Sequence, residues 1–428
     1  PGAFRVEING LAGQGANLSS QALRNGSWST SGQLSIAGTT IRDALPSQVI
    51  LSSADVLRRY SQYNETSYAD FILADAIRQG LPRAMLPADA RSLLLQVSSA
   101  SKLNAAGAVD FTPAKDGYGG SLLILGDIEV LADGANVTDD FSGASLRASE
   151  LNRFGASRMV LGAVPTVIYG QQGSEVAFLG SRGNIVMREG SVLRGPEVML
   201  VGNVTLEQGA RIDTLGEGDA AFDSTDGYSY RVGSTGALLA VSNGWLNLQA
   251  PGTQSIGAIN LGVCGEQACG ESQLYSEDTI GIVSNGNVSI GDNVRYGTRN
   301  LSLAVSAVNV GEVDALQAAA ASHVLPMGLG LNQSVLTRLL QGDASHGAPA
   351  LESLILTARD SINFFGTVSL DTRDPLTGRS SLANLVLGSP AIQGYGDADD
   401  VASIRTASLI WSGATQAPAA AIEGGPGN

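Results

Sequence analysis

Short apolar-x-apolar triplets recur along this chain, each behind a Gly-Asn or Gly-Asp step. The phrase reads Gly126-Asp-Ile-Glu-Val-Leu-Ala-Asp-Gly134-Ala-Asn-Val137 and returns as Gly183-Asn-Ile-Val-Met-Arg-Glu-Gly190-Ser-Val-Leu193. It appears again as Gly202-Asn-Val-Thr-Leu-Glu-Gln-Gly209-Ala-Arg-Ile212 and Gly286-Asn-Val-Ser-Ile-Gly-Asp-Asn293-Val-Arg-Tyr296. An apolar-x-apolar triplet is the shortest strand that places two side chains on one face. The Gly or Asn after it lets the chain turn through positive φ. The copies at 183 and 202 start 19 residues apart. Short strands at a step of about 20 residues predict a solenoid, here an all-β right-handed parallel β-helix.

Two stretches break the pattern and predict small helical insertions. Residues 1–46 read as β-helix coils (Phe4-Arg-Val-Glu-Ile8, Gly32-Gln-Leu-Ser-Ile36), and 47–92 as the first insertion. There Ser53 is placed to cap a helix over 54–60, and Ser67 a second one with Tyr68, Phe71, Ile72 and Ala76 on one face. Residues 93–310 carry the cleanest coils, with a short helical spacing at 144–156. Residues 311–350 form the second insertion: Val313, Leu316 and Ala320 share one helix face, and Asn332 caps a helix striped by Val335, Leu336, Leu339 and Leu340. Coils resume over 351–428 and are expected to continue beyond the fragment. Setting the insertions aside, the coils would stack into a rod about 80 Å long.

Composition narrows the function. Gly makes up 54 of 428 residues, without a collagen period, which suits a fold of many turns. The net charge is −15 and the 25 basic residues are scattered, so no basic stripe exists to meet nucleic-acid phosphates. No apolar run is long enough to form a membrane-spanning helix. The only cysteines, Cys264 and Cys269, enclose four residues; the spacing suits a small disulfide loop in an oxidising compartment, the alternative being two free thiols.

Candidate chemistry is sparse. Asp213, Glu217, Asp219, Asp223 and Asp226 crowd one polar loop that could offer several oxygens to a hard cation. The loop matches neither the EF-hand spacing nor a Gly-Gly-x-Gly-x-Asp repeat, and reads as a solvated turn between coils. Asp397, Asp399 and Asp400, with Arg405 nearby, form a second acidic loop of the same kind. His323 and His346 have no recognisable nucleophile motif beside them. Trp28, Trp245 and Trp411 are spread along the chain, where an exposed ring could stack on a sugar. The expectation is therefore no catalytic residue, no metal and no cofactor.

Three phrases resemble the filamentous haemagglutinin family, the large exoproteins of two-partner secretion systems in Gram-negative bacteria. They are Ala148-Ser-Glu-Leu-Asn-Arg-Phe-Gly-Ala-Ser-Arg-Met-Val-Leu-Gly162, Leu193-Arg-Gly-Pro-Glu-Val-Met-Leu200 and Leu351-Glu-Ser-Leu-Ile-Leu-Thr-Ala-Arg-Asp-Ser-Ile-Asn-Phe-Phe-Gly366. The closing Gly424-Gly-Pro-Gly-Asn428 is similar to the way a further coil begins in that family. The resemblance implies a right-handed β-helix, export through an outer-membrane pore partner, a secreted or cell-surface location, and attachment to a host or bacterial glycan or protein. It departs from the family in lacking an Asn-Pro-Asn-Gly motif, which places the fragment in the shaft and leaves the export signal elsewhere. Two other readings remain open: a polysaccharide-active β-helix enzyme, and the stalk of a contact-dependent growth-inhibition toxin.

Overall fold

The computed structural model describes residues 4–8, 19–60, 66–98, 107–139, 141–170, 173–180, 183–233, 236–254, 257–264, 269–374, 377–380 and 382–413. The chain divides into two units, Pro1–Phe71 and Ile72–Asn428.

In the first unit the strands Phe4–Ile8, Ser47–Ser53, Trp28–Gly32 and Gln21–Ala22 lie side by side in that order, every pair antiparallel. The coils expected over 1–46 are thus an antiparallel sheet, and 47–92 opens on a strand. The cause is local. The short turn 23–27 between Gln21–Ala22 and Trp28–Gly32 allows only antiparallel pairing, and the strand-forming run Val49-Ile-Leu51 takes Trp28–Gly32 on one edge and Phe4–Ile8 on the other. Helix α1 (Ala54–Arg58) follows directly, with Ser53 Oγ accepting from the Val56 N–H at 3.4 Å. Helix α2 (Tyr68–Gln79) begins at Ser67, whose Oγ accepts from the Asp70 N–H at 3.1 Å.

The second unit is mostly β and is built on a large, chiefly parallel sheet. Its strands fall into ladders that can be followed residue by residue. In the first ladder Leu93, Leu122, Met159, Val198, Val241, Ile280, Leu301, Leu354, Leu385 and Leu409 stand opposite one another in turn. In the second the row runs Ala144, Ile128, Ile185, Val204, Ile259, Val288, Leu329, Val308, Ile362 and Ile392. The recurring phrase is this second row: the 19-residue step between its copies is the pairing of Asn184 with Asn203. A third, shorter ladder aligns Leu193, Ile212, Leu274 and Tyr296. Apart from Leu409, which is exposed at the end of its row, all three rows point into one apolar core or pack against it.

The glycine that opens the phrase has a physical reason. Gly202 sits at φ +144°, and a Cβ there would lie 2.3 Å from the Gly183 carbonyl in the neighbouring strand. Gly328, at φ +155°, is equally confined, with the Ala307 carbonyl 2.1 Å away. Gly328 heads the triplet Leu329-Gly-Leu331, so the 311–350 segment is not wholly helical: the strand Leu329–Asn332 keeps its place in the second ladder between two helices. Of these, α4 (Val313–Ala321) buries Ala319 and leaves Val313 and Ala320 exposed, so its packed face is offset from the one expected. In α5 (Gln333–Gln341), Val335, Leu336, Leu339 and Leu340 are all buried. The short helix α3 (Ala148–Arg153) follows the second-ladder strand Ala144–Arg147 and precedes the first-ladder strand Arg158–Leu161.

One strand departs from parallel stacking. Ala237–Ser242 runs antiparallel to both of its neighbours in the first ladder. The chain leaves the third ladder at Asp213, crosses an outer layer through Tyr228–Val232, and re-enters the first ladder from the opposite direction. That outer layer is the hairpin Ala163–Gly170/Gly173–Gly180 with Tyr228–Val232 in parallel alongside. It covers the outward side chains Leu123, Val160, Met199, Val201 and Leu238 of the first ladder. Strands buried on both faces read as unbroken apolar runs, as Ser121–Leu125 and Glu197–Val201 do.

Candidate functional site

The ionisable groups singled out in the sequence are mostly taken up by the fold. In the first acidic loop Asp213 pairs with Arg211 and accepts from the Leu215 N–H at 3.2 Å. Glu217 lies 3.6 Å from Arg194. Asp223 accepts from the Thr225 N–H at 2.7 Å and the Trp245 N–H at 2.9 Å, and Asp226 accepts from the Asp223 N–H at 3.2 Å. Asp223 and Asp226 fasten the 3-10 turn Ser224–Asp226, Asp213 and Glu217 are held by arginines, and the group does not gather round one point. In the second loop Asp400 accepts from the Asp397 N–H at 2.7 Å and from Thr367 Oγ1 at 2.9 Å. Arg405 is not brought there; it stands opposite Asp371 at the far end of its strand. Among the described residues no group of three or more His, Cys, Asp and Glu is placed to hold a metal ion.

The histidines stand apart. His323 follows α4 at φ +57°. His346 lies with its ring 4.8 Å from that of Tyr275, and its Nδ1 is 2.9 Å from Ser345 Oγ. A hydroxyl beside an imidazole meets the first requirement of a nucleophile–base pair. The second is missing: Asp343 accepts from the Ser345 N–H and the Tyr275 hydroxyl, each at 2.8 Å, and so orients the serine rather than the histidine. Burial, with the Asp343 carboxylate beside it, pushes the Tyr275 phenol up to about 12.

A further polar constellation lies outside the candidates read from the sequence. It is a stack of guanidinium groups and rings closed by a carboxylate at each end. Glu197, fully buried, accepts from Arg158 Nε and from Ser242 Oγ at 2.9 Å. The Arg158 guanidinium lies 4.0 Å from the centre of the Phe222 ring. Phe222 packs on Tyr118 with ring centres 5.2 Å apart, and the Arg83 guanidinium covers Tyr118 at 3.6 Å. Arg83 then grips Asp89 through two bonds of 2.6 and 2.9 Å. Tyr228 leans on Phe222 and donates to the Arg83 carbonyl at 3.2 Å. Burial opposes ionisation of Asp89, but Arg83 and the backbone N–H groups of Tyr118 and Leu86 outweigh it and hold the carboxyl below its ordinary range. Burial, with Tyr118 and Tyr169 beside it, raises the Tyr228 phenol. The stack joins segments 83–89, 118, 158, 197 and 222–228; it clamps the outer layer to the first ladder.

One signal pointed to it. Arg158 and Glu197 each precede an apolar run, and the pairing of Met159 with Val198 sets them at the same ladder position. Opposite charges at aligned positions of neighbouring strands mark a cross-strand pair.

Cys264 and Cys269 are joined by a disulfide with Cα atoms 5.2 Å apart. The bridge lies at a corner between the second and third ladders. Elsewhere that corner is crossed by 188–191, 208–210 or 291–293; here it takes 264–271. The bridge holds the Cα atoms of residues five apart in sequence within 5.2 Å and so shortens the covalent path round this corner. Of the tryptophans, Trp28 is on the first unit's sheet, Trp245 follows Ala237–Ser242, and Trp411 is on the strand Leu409–Ser412, 61% exposed.

No protein-family model, no curated protein and no solved structure matches this chain. No helix among the described residues is long and apolar enough to cross a membrane.

Proposed function

We propose that this chain is a shaft segment of a secreted, surface-exposed bacterial adhesin, a right-handed parallel β-helix of the filamentous haemagglutinin kind. The observation that carries the reading is the pair of long apolar rows, from Leu93 to Leu409 and from Ala144 to Ile392. Such rows give each strand two hydrogen-bonded neighbours and stack one repeat on the next, which makes a stiff one-dimensional support. Its role is mechanical. The acids, arginines and tyrosines that an enzyme would aim at a substrate here fasten turns and clamp layers. Export through an outer-membrane pore partner and attachment to a cell-surface glycan or protein follow from the same reading.

The test is to incubate the purified chain with a panel of polysaccharides and with intact bacterial and host cells, scoring bound protein and polymer length together. Binding without shortening of any polymer is the expected result. Depolymerisation would replace the shaft with a polysaccharide-active enzyme. Neither binding nor cleavage would leave a passive stalk for an activity carried elsewhere.

A further inference from the structure

Two side-chain amides end two sheets in the same manner. The strand Val192–Arg194 is the outermost of the third ladder. Its free edge faces Asn152 of α3, whose Nδ2 donates to the Val192 carbonyl at 2.9 Å and whose Oδ1 accepts from the Arg194 N–H at 2.8 Å. Those are the two groups that flank Leu193 and that a parallel neighbour's peptide would engage. The strand Val368–Asp371 pairs on one side with Ala402–Arg405. On its other side Gln333, the first residue of α5, donates through Nε2 to the Ser369 carbonyl at 2.8 Å and accepts through Oε1 from the Ser369 N–H at 3.0 Å. This is the double exchange of an antiparallel hydrogen-bonded pair.

A carboxamide has the donor and acceptor of a peptide group but no chain to extend. We propose that Asn152 and Gln333 are sheet terminators: each stands in for one residue of a missing strand and blocks that edge against strand addition from a second copy of the chain. An unpaired edge is a template for such pairing. The same chain supplies a segment of that kind: among the described residues Leu409–Ser412 pairs on one side only, with Asn384–Gly388, and exposes Leu409, Ile410 and Trp411. Each of the two helices thus carries a stopper at a sheet edge.

The test is residue-resolved amide exchange on the full chain with its disulfide intact, together with light scattering over a range of concentrations. In Asn152→Leu and Gln333→Leu the Arg194 and Ser369 amides exchange about tenfold faster or more, the loss of one hydrogen bond each, while the Ile259 amide is unchanged and reports an intact fold. Asn152→Asp and Gln333→Glu, close in shape and still offering an acceptor, keep exchange within about threefold of wild type. The double Leu variant self-associates where the wild type does not. Unchanged exchange in the Leu variants, or equal acceleration in the Asp and Glu variants, overturns the hydrogen-bonding role. Faster exchange with no self-association overturns the blocking role.

Discussion

At the scale of single residues, the stability of the second unit rests on buried charges as well as on apolar rows. Arg158 and Glu197 are 1% and 0% exposed, and neither has water to fall back on. Removing one charge from such a pair leaves the other uncompensated, which costs about 3–5 kcal/mol. Glu197→Gln is therefore expected to lower the unfolding free energy by that amount in denaturant titration, and Arg158→Met combined with Glu197→Leu to recover most of it. Equal losses in the single and double variants would show that the pair acts through packing alone. A second prediction concerns acid. Glu129 is fully buried; burial raises its pKa, but Ser145, Arg188 and Thr138 together hold it below the ordinary 4.5. Asp89 is held below its ordinary 3.8 in the same way. A carboxyl depressed by folding contributes fully above its unfolded value and loses that contribution as pH falls through the folded one. Stability should thus fall as the pH drops through and below the ordinary values of 4.5 and 3.8, and the fall should be shallower in Glu129→Gln and Asp89→Asn. A wild-type acid limb no steeper than that of the variants would contradict the assignment.

At the scale of elements, what could be read in advance was what repeats. The phrase at 126, 183, 202 and 286 fixed a register because a glycine confined by the next strand's carbonyl cannot slide, and every triplet must present the same face to the core. The copy at Ile259 and the one at Leu329 escaped because the Gly-Asn step is altered, to Gly257-Ala258 before Ile259 and to Met327-Gly328 before Leu329. The apolar stripe of α5 was legible from its spacing; that α5 stands beside a sheet edge was not, since tertiary placement leaves no local trace. The antiparallel sheet of the first unit was misread as coils for a related reason: a lone strand looks the same whichever way its partner runs. The clamp of Arg83, Tyr118, Phe222 and Arg158 joins residues far apart in sequence that only the outer layer brings together. The disulfide also belongs to this scale. For a loop of this length the chain-entropy account gives about 2 kcal/mol. Reduction is expected to cost about that much and to raise amide exchange at the corner around Ser272 and Gln273, leaving the Leu354 strand as it was. Exchange rising along the whole first ladder would mean that the bridge supports more than its corner.

At the scale of the molecule, the account makes the second unit a stack whose length is counted in strands. One column can be followed from Thr205 through Asn260, Ser289, Gly330, Asn309 and Asn363 to Gln393, each opposite the next. Neighbouring strands lie about 4.8 Å apart, so these six steps span about 29 Å. The interior along that column is continuous, with Val204, Ile259, Val288, Leu329, Val308 and Ile362 all buried. A shaft that carries load must hold this spacing in solution, and its rigidity comes from the same contacts that define its register. The measurement that tests this most directly is the distance between spin labels at positions 205 and 393, read by pulsed electron resonance under non-reducing conditions. A single narrow distribution centred near 29 Å, widened only by the label linkers, is the predicted result. A broad distribution, or a narrow one centred far from that value, would contradict the stacked shaft and the function proposed from it.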